Sequence, residues 1–211
     1  MTPQLVAIIP AAGQSRRMGQ PKLLLEWAGQ SVLARVVTAL KQGGISRCLV
    51  IVRPDDVALI RAAEAIGAEV IIPATAPPDM RASVEYGLRH IRDSASPPLA
   101  IDAWVLVQAD HPTLDSLLIE QLIAAWSLAP HQIAVPVHQG RRGHPTIFPG
   151  SLVDEVFSLP PDQGLNQVLR SHPQRVLEIN VSDPRVLDDL DTPEDWLRLQ
   201  RQNLPEQRSD G

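Results

Sequence analysis

The 211-residue sequence contains one cysteine, Cys48, which excludes an intramolecular disulfide. Set in the apolar run Cys48-Leu49-Val50-Ile51-Val52, this thiol reads as a buried strand residue. So few thiols suit a reducing compartment, and a cytoplasmic location is expected. No Cys/His set has zinc-site spacing, and no G-x-S-x-G nucleophile elbow occurs. Aromatic residues make up only 3% of the chain, so the core must be aliphatic. Trp27, Trp104, Trp126 and Trp196 are scattered over expected elements and read as packing residues. No apolar run approaches the ~20 residues of a membrane span. Met1 to Gln4 lacks the basic start of a signal peptide, so neither a leader nor a membrane partner is expected. Cations are in the minority: Lys and Arg number 19 against 24 Asp and Glu, for a formal charge of −5. That balance argues against a general nucleic-acid binder but not against a local basic patch for small anions.

Proline is abundant instead, with 20 residues, about twice the usual share. The length predicts a single domain over 1–201, followed by a polar, disordered tail over 202–211. Short apolar runs alternate with helical patterns. Strands are expected at 5–9, 47–52, 69–72, 103–108, 133–137 and 175–181. Helices are expected at 31–42, from 54 to near 67, 81–92, 114–128, in pieces near 151–158 and 164–171, and from Pro193. Loops are expected at 94–98 and in the basic stretch 141–143. This βαβα order predicts an α/β fold with a mainly parallel sheet covered on both faces.

The stretch Ala11-Ala12-Gly13-Gln14-Ser15-Arg16-Arg17-Met18-Gly19-Gln20-Pro21-Lys22 follows the first strand. Small residues allow close backbone approach, and a glycine at positive φ lets successive N–H groups converge on an anion. Arg16, Arg17 and Lys22 could add charge-assisted bonds to phosphate. It is not a Walker loop, because five residues separate Gly13 and Gly19, and Leu23 follows Lys22. Nor is it a dinucleotide fingerprint, because Gln14-Ser15 follows Gly13. A solvated basic turn is the competing reading.

Asp110 follows the fourth main strand and shares a sheet edge with Gly13, where open α/β sheets bind ligands. A carboxylate facing bound phosphate needs a cation between them, and Mg²⁺ is the expected one. Asp110 could equally be a turn or helix-capping residue. In Asp188-Asp189-Leu190-Asp191-Thr192-Pro193-Glu194-Asp195, helix initiation explains Thr192 onward, with Thr192 as N-cap and Pro193 at N1. It does not explain Asp189 and Asp191. These alternate about Leu190, and either could be the second metal carboxylate.

The 11–22 stretch resembles the nucleotidyltransferase signature A-A-G-x-S-x-R-M-G-x-x-K. Gly143-His144-Pro145-Thr146-Ile147-Phe148 is similar to the G-H-P-x-x-F segment of molybdenum cofactor cytidylyltransferases. Asp189-Leu190-Asp191-Thr192-Pro193-Glu194-Asp195 is similar to their D-I-D-T-P-E-D, and Asp110-His111-Pro112 to their G-D-x-P. The resemblance runs from about Val6 to Trp196. It implies a Rossmann-like, three-layer αβα nucleotidyltransferase fold (GT-A-like) with a mostly parallel sheet. It also implies transfer of CMP from CTP to the phosphate of molybdopterin, with Mg²⁺, and a transient contact with a molybdoenzyme. The implied roles are nucleotide binding by Ala11, Ala12, Gly13, Ser15, Arg16, Arg17, Lys22 and Ser83. Lys22, Arg17 and Asp110 would be catalytic. Asp110, with Asp189 or Asp191, would hold the metal, and His144 and Arg81 would bind the acceptor. Pro10, Ala109 and Asp79-Met80-Arg81 depart from the family pattern, the last replacing G-M-x. Another phosphorylated acceptor, such as a sugar phosphate or phospholactate, stays open as an alternative. So does a nucleotide-binding module without turnover.

Overall fold

The computed structural model describes residues 3–94 and 101–202. The loop expected at 94–98 lies outside these residues beyond Ser94, and the expected tail lies outside them beyond Gln202. The apolar runs form the main strands: β1 (Leu5–Pro10), β4 (Arg47–Ile51), β5 (Glu69–Ile71), β6 (Ala103–Leu106), β7 (Ile133–His138) and β10 (Val176–Asn180). The helices are α1 (Val32–Gln42), α2 (Val57–Ala65), α3 (Met80–Asp93), α4 (Ser116–Ser127), α5 (Val153–Ser158), α6 (Asn166–Ser171) and α7 (Pro193–Gln202). Five starts follow local chemistry, with Ser31, Asp56, Asp79, Asp115 and Thr192 side chains accepting from the backbone N–H three residues on. Among the described residues no helix is long and apolar enough to cross a membrane.

Two short features were not foreseen. Residues Glu26–Trp27 (β2) and Gln30–Ser31 (β3) form a hairpin, turned by Ala28 and Gly29 at φ 51° and 78°. Positive φ at both central residues matches the twist of two-residue hairpin loops. The second correction concerns 141–149. Arg141–Arg142 pairs with β7 as strand β8, and Thr146–Pro149 forms a buried strand, β9.

The sheet order is β10-β7-β9-β6-β1-β4-β5, with β8 beside β7. Pairing is parallel throughout except at β9, antiparallel to both β6 and β7, and at β8. β9 is held by packing as well as by its ladder: Phe148 stacks on its register partner Trp104, ring centroids 4.2 Å apart. Side chains alternate across β1. Leu5, Ala7 and Ile9 enter one apolar cluster with α1, α2 and α4, while Val6 and Ile8 enter another with α3, α5 and α6. The Rossmann-like three-layer arrangement is therefore present, with a core on each sheet face. Its carboxyl edge carries the loops after β1, β4 and β6.

Candidate active site

The loop after β1 is anchored at its start, where Ala11 N–H donates to the Ile51 carbonyl at 2.8 Å. It turns through Ser15 at φ 49°, whose carbonyl accepts from Met18 and Gly19 N–H, and through Gly19 at φ 70°. The positive φ expected of a loop glycine falls at Gly19 and not at Gly13. A Cβ at Gly13 would meet nothing within 4 Å, so internal packing does not demand a glycine there. The space belongs to a cavity of about 260 Å³, walled by Ala11, Gly13 and Lys22 on one side and by Pro78, Ser83 and Gln108 on the other.

At its mouth three distant segments meet. Lys22 Nζ donates to Asp110 Oδ2 at 2.6 Å and to Asp191 Oδ1 at 2.8 Å. Arg17 Nη2 donates to the other oxygen of Asp191 at 2.7 Å. Burial alone would lower the Lys22 pKa, but the charges and hydrogen bonds of Asp110 and Asp191 outweigh it, and the net shift is upward. Burial would raise the Asp191 pKa, yet Lys22 and Arg17 together carry it downward. At neutral pH the centre is therefore an ammonium held against carboxylate.

Asp189 does not join this cluster. Its carboxylate has no hydrogen bond or ion pair among the described residues, and its carbonyl accepts from Arg198 at 3.4 Å. The separation of the two aspartates has a backbone cause. Leu190 is fully buried, and its N–H donates to the Asp110 carbonyl at 3.0 Å. That bond pins the segment beside Asp110 and leaves Asp191 next to Lys22. Asp195 secures the far side, where one carboxylate oxygen accepts from Asp191 N, Thr192 N and Thr192 Oγ1 at 3.2, 2.9 and 2.8 Å. Thr192 Oγ1 accepts from Asp195 N–H in return, the N-cap read from the sequence.

The other expected site residues divide. Ala12 and Ser15 line the cavity, Ser83 lines it with its hydroxyl donating to the Asp79 carbonyl, and exposed Arg16 donates to Gln14. Arg81 does not line it. Its guanidinium pairs with Glu85 at 2.8 Å and donates to the Pro160 and Gln163 carbonyls, contacts that tie α3 to the 160–163 segment. Asp79, which departs from the family glycine, caps α3 by accepting from Ala82 N–H at 2.7 Å. His144 is also set back. Its Nε2 accepts from the Gln108 amide at 2.8 Å, and Gln108 Oε1 accepts from His111 Nε2 at 3.0 Å. His144 therefore stands behind Gln108, which lines the cavity. Burial, then the neighbouring His111, pushes the His144 pKa down to about 4. Burial likewise lowers His111, against the pull of Asp110 and Asp189. Gln108 was missed from sequence because a strand-end glutamine carries no spacing signal.

A metal ion would find two carboxylates here, Asp110 and Asp191, already converged on one cation. Among the described residues no group of three His, Cys, Asp or Glu forms a richer ligand set. Two carboxylates suit Mg²⁺, which keeps several waters and completes its shell with substrate phosphates.

Comparison with known proteins gives three findings. Residues 7–176 match the family model described as the MobA-like NTP transferase domain. The chain is 30% identical over 213 residues to the purine catabolism protein PucB of Bacillus subtilis (strain 168), covering 95% of this chain and 98% of the relative. It is 26% identical to the molybdenum cofactor cytidylyltransferase of Escherichia coli (strain K12), covering 90% and 92%. Among solved structures, Rv0371c of Mycobacterium tuberculosis H37Rv superposes with a TM-score of 0.77 at 26% identity, covering 95% and 99%. A manganese complex of that protein superposes at 0.73 with 24% identity, covering 94% and 98%.

Proposed function

The chain belongs to the MobA-like NTP transferase family and is a nucleotidyltransferase enzyme; from that premise we propose that it moves CMP from CTP to the phosphate of molybdopterin, releasing pyrophosphate. The observation that carries this reading is the Lys22 ammonium bound by Asp110 and Asp191 at the mouth of the cavity beside Gly13. The loop over 11–15 would take the triphosphate, with Arg16, Arg17 and Lys22 as counter-charges. An acceptor phosphate oxygen attacks the α-phosphorus. The bond to the β-phosphate bridging oxygen breaks, and that oxygen keeps the electron pair as pyrophosphate leaves. A phosphate nucleophile is ionised near neutral pH, so this step asks for no general base. Lys22 remains a cation through the step and offsets charge that grows toward the leaving group. Asp110 and Asp191 would hold Mg²⁺, which when bound adds charge neutralisation on the phosphates. The manganese complex of the mycobacterial protein supports a divalent ion of this kind. Asp189 would be left outside the metal set, and a cytoplasmic location is part of the same reading.

The name of the Escherichia coli relative supports CTP and the molybdenum cofactor as substrates. The G-H-P-x-x-F and D-x-D-T-P-E-D segments support the same choice. A pocket that hydrogen-bonds one base edge rejects another by leaving buried polar groups unpaired, at roughly 1–3 kcal/mol each. The test is kcat/KM for all four NTPs with molybdopterin as acceptor. At least a tenfold preference for CTP over GTP is expected. A GTP preference, or turnover only with a sugar phosphate or phospholactate, would overturn the substrate assignment.

A further inference from the structure

A cation not yet assigned stands on the outer side of the phosphate loop. β4 runs parallel to β1, with Pro10 opposite Ile51, and the chain leaves its carboxyl end through Val52 into Arg53. Arg53 therefore emerges beside Gly13 and Ser15 without belonging to the loop. Its side chain is only 17% exposed, and its Nε is buried with no hydrogen-bond partner. Two carboxylates lie nearby without engaging it fully. Asp55 Oδ1 is 3.2 Å from Nε but is poorly aligned for a hydrogen bond, and Asp55 is itself 75% exposed. Asp56 Oδ2 is 3.6 Å from Nη2, and its other oxygen accepts from Leu59 N–H as the cap of α2.

Arg53 borders two recesses that continue from the loop. One, of about 330 Å³, includes Gly13, Ser15, Arg16 and Gly19. The other, of about 520 Å³, includes Arg16, Arg17, Lys22 and Asp191. In the larger recess four cations, counting Arg53, face a single carboxylate. Two of them, Arg17 and Lys22, are already bonded to that carboxylate, while Arg16 and Arg53 have no anionic hydrogen-bond partner there. A guanidinium whose two ion-paired carboxylates leave its Nε without a hydrogen bond, beside a recess lined by four cations, fits an anion with several oxygens. The planar fork of arginine matches phosphate oxygens in pairs.

Resting on the nucleotidyl-transfer reading, we infer that Arg53 binds the β,γ end of the triphosphate, and that the recess between Arg53 and Arg16 holds the pyrophosphate as it forms. Lys22 and Arg53 both line the larger recess, Lys22 holding Asp110 and Arg53 reaching the smaller recess beside Gly19, so the triphosphate would extend from Lys22 toward Arg53. When the bond at the α-phosphorus breaks, the electron pair passes to the β-phosphate oxygen, and the new charge arises on the Arg53 side. Asp55 and Asp56 then act as loose counter-ions that yield the guanidinium to the incoming anion.

The test is titration calorimetry in magnesium buffer with two probes, inorganic pyrophosphate and CMP, on wild type, Arg53→Met and Arg53→Lys. Wild type should bind pyrophosphate. Arg53→Met should weaken pyrophosphate at least tenfold and change CMP by less than twofold, with Arg53→Lys between the two. Asp55→Asn, which removes an exposed competing charge, should bind pyrophosphate as tightly as wild type or tighter. Should Arg53→Met fail to fold, pyrophosphate product inhibition of wild type and Arg53→Lys makes the same comparison, with weaker inhibition of the lysine variant expected. Pyrophosphate binding to Arg53→Met within twofold of wild type would overturn the inference. Equal losses for pyrophosphate and CMP would do the same, as would a wild type blind to pyrophosphate. Failure of the underlying reading has a separate signature, a wild type that binds pyrophosphate but releases none from any NTP.

Discussion

Removing the Lys22 ammonium would leave Asp110 and Asp191 converging with no counter-charge between them. Lys22 and Asp110 side chains are only 15% and 17% exposed, so solvent would replace that charge poorly. Lys22→Ala should therefore melt below wild type in EDTA and recover more than wild type on adding Mg²⁺. Its kcat should fall on the order of 10²–10³-fold, with a smaller change in the NTP KM, because the lost interaction grows in the transition state. Near-wild-type turnover would return Lys22 to a passive ion pair. His144 gives a pH test at the same scale. Its folded pKa of about 4 lies below the ordinary histidine value of 6.5. As pH falls below 6.5 the unfolded chain takes up a proton that the folded chain refuses until about pH 4, so stability is lost across that window. The loss contributed by this group is at most about 3 kcal/mol. His144→Gln should flatten the fall of Tm between pH 6.5 and 4, and an unchanged slope would show that His144 does not titrate there. Cys48 needs no role in this chemistry: burial raises its thiol to about 12, and it donates to the Ile45 carbonyl.

Elements explain which of these residues could be read from sequence. The 11–22 loop and Asp110 were legible because each directly follows a buried apolar strand, and topology then puts both on one edge. Thr192 was legible as a cap because Pro193, Glu194 and Asp195 follow it. The choice between Asp189 and Asp191 was not, because it depends on the Leu190 N–H reaching the Asp110 carbonyl 80 residues away in sequence. β9 was hidden because its four residues follow Gly-His-Pro and a basic turn, a context that reads as loop. The Arg81 contacts were not legible because its partners, the Pro160 and Gln163 carbonyls, come from a segment with no periodic pattern. Arg53 gave no signal, being one arginine ahead of a Pro-Asp-Asp helix start. The segment before β9 also carries a packing constraint. A Cβ on Gly143 would lie 2.4 Å from the Val186 carbonyl oxygen, and His144 N–H donates to that same oxygen. Gly143→Ala must push the 184–187 turn away, at about 1–3 kcal/mol for overpacking. A fall in Tm of several degrees is expected, with reduced activity, because the turn leads directly into Asp188 to Asp191. An unchanged Tm would mean that the turn yields freely.

At the scale of the whole molecule the net charge of −5 hides the site, since the loop and the end of β4 gather Arg16, Arg17, Lys22 and Arg53 on one edge. The centre exists only in the folded chain: Lys22 meets Asp110 across 88 residues and Asp191 across 169. The first apolar core holds the parts together, because Leu190 from the last segment packs in the same cluster as Ile9, Leu23 and Ala109. On the proposed reading, this convergence of Lys22, Asp110 and Asp191, rather than the acidic run as such, carries the reaction. The most direct measurement is Mg²⁺-dependent pyrophosphate release from CTP and molybdopterin by wild type, Asp191→Asn and Asp189→Asn. Wild type should release one pyrophosphate per transfer. Asp191→Asn should lose at least a hundredfold in kcat/KM, about 2.7 kcal/mol of transition-state stabilisation, while Asp189→Asn stays within a few-fold of wild type. Equal losses in both variants, or an active Asp191→Asn beside an inactive Asp189→Asn, would contradict the claim.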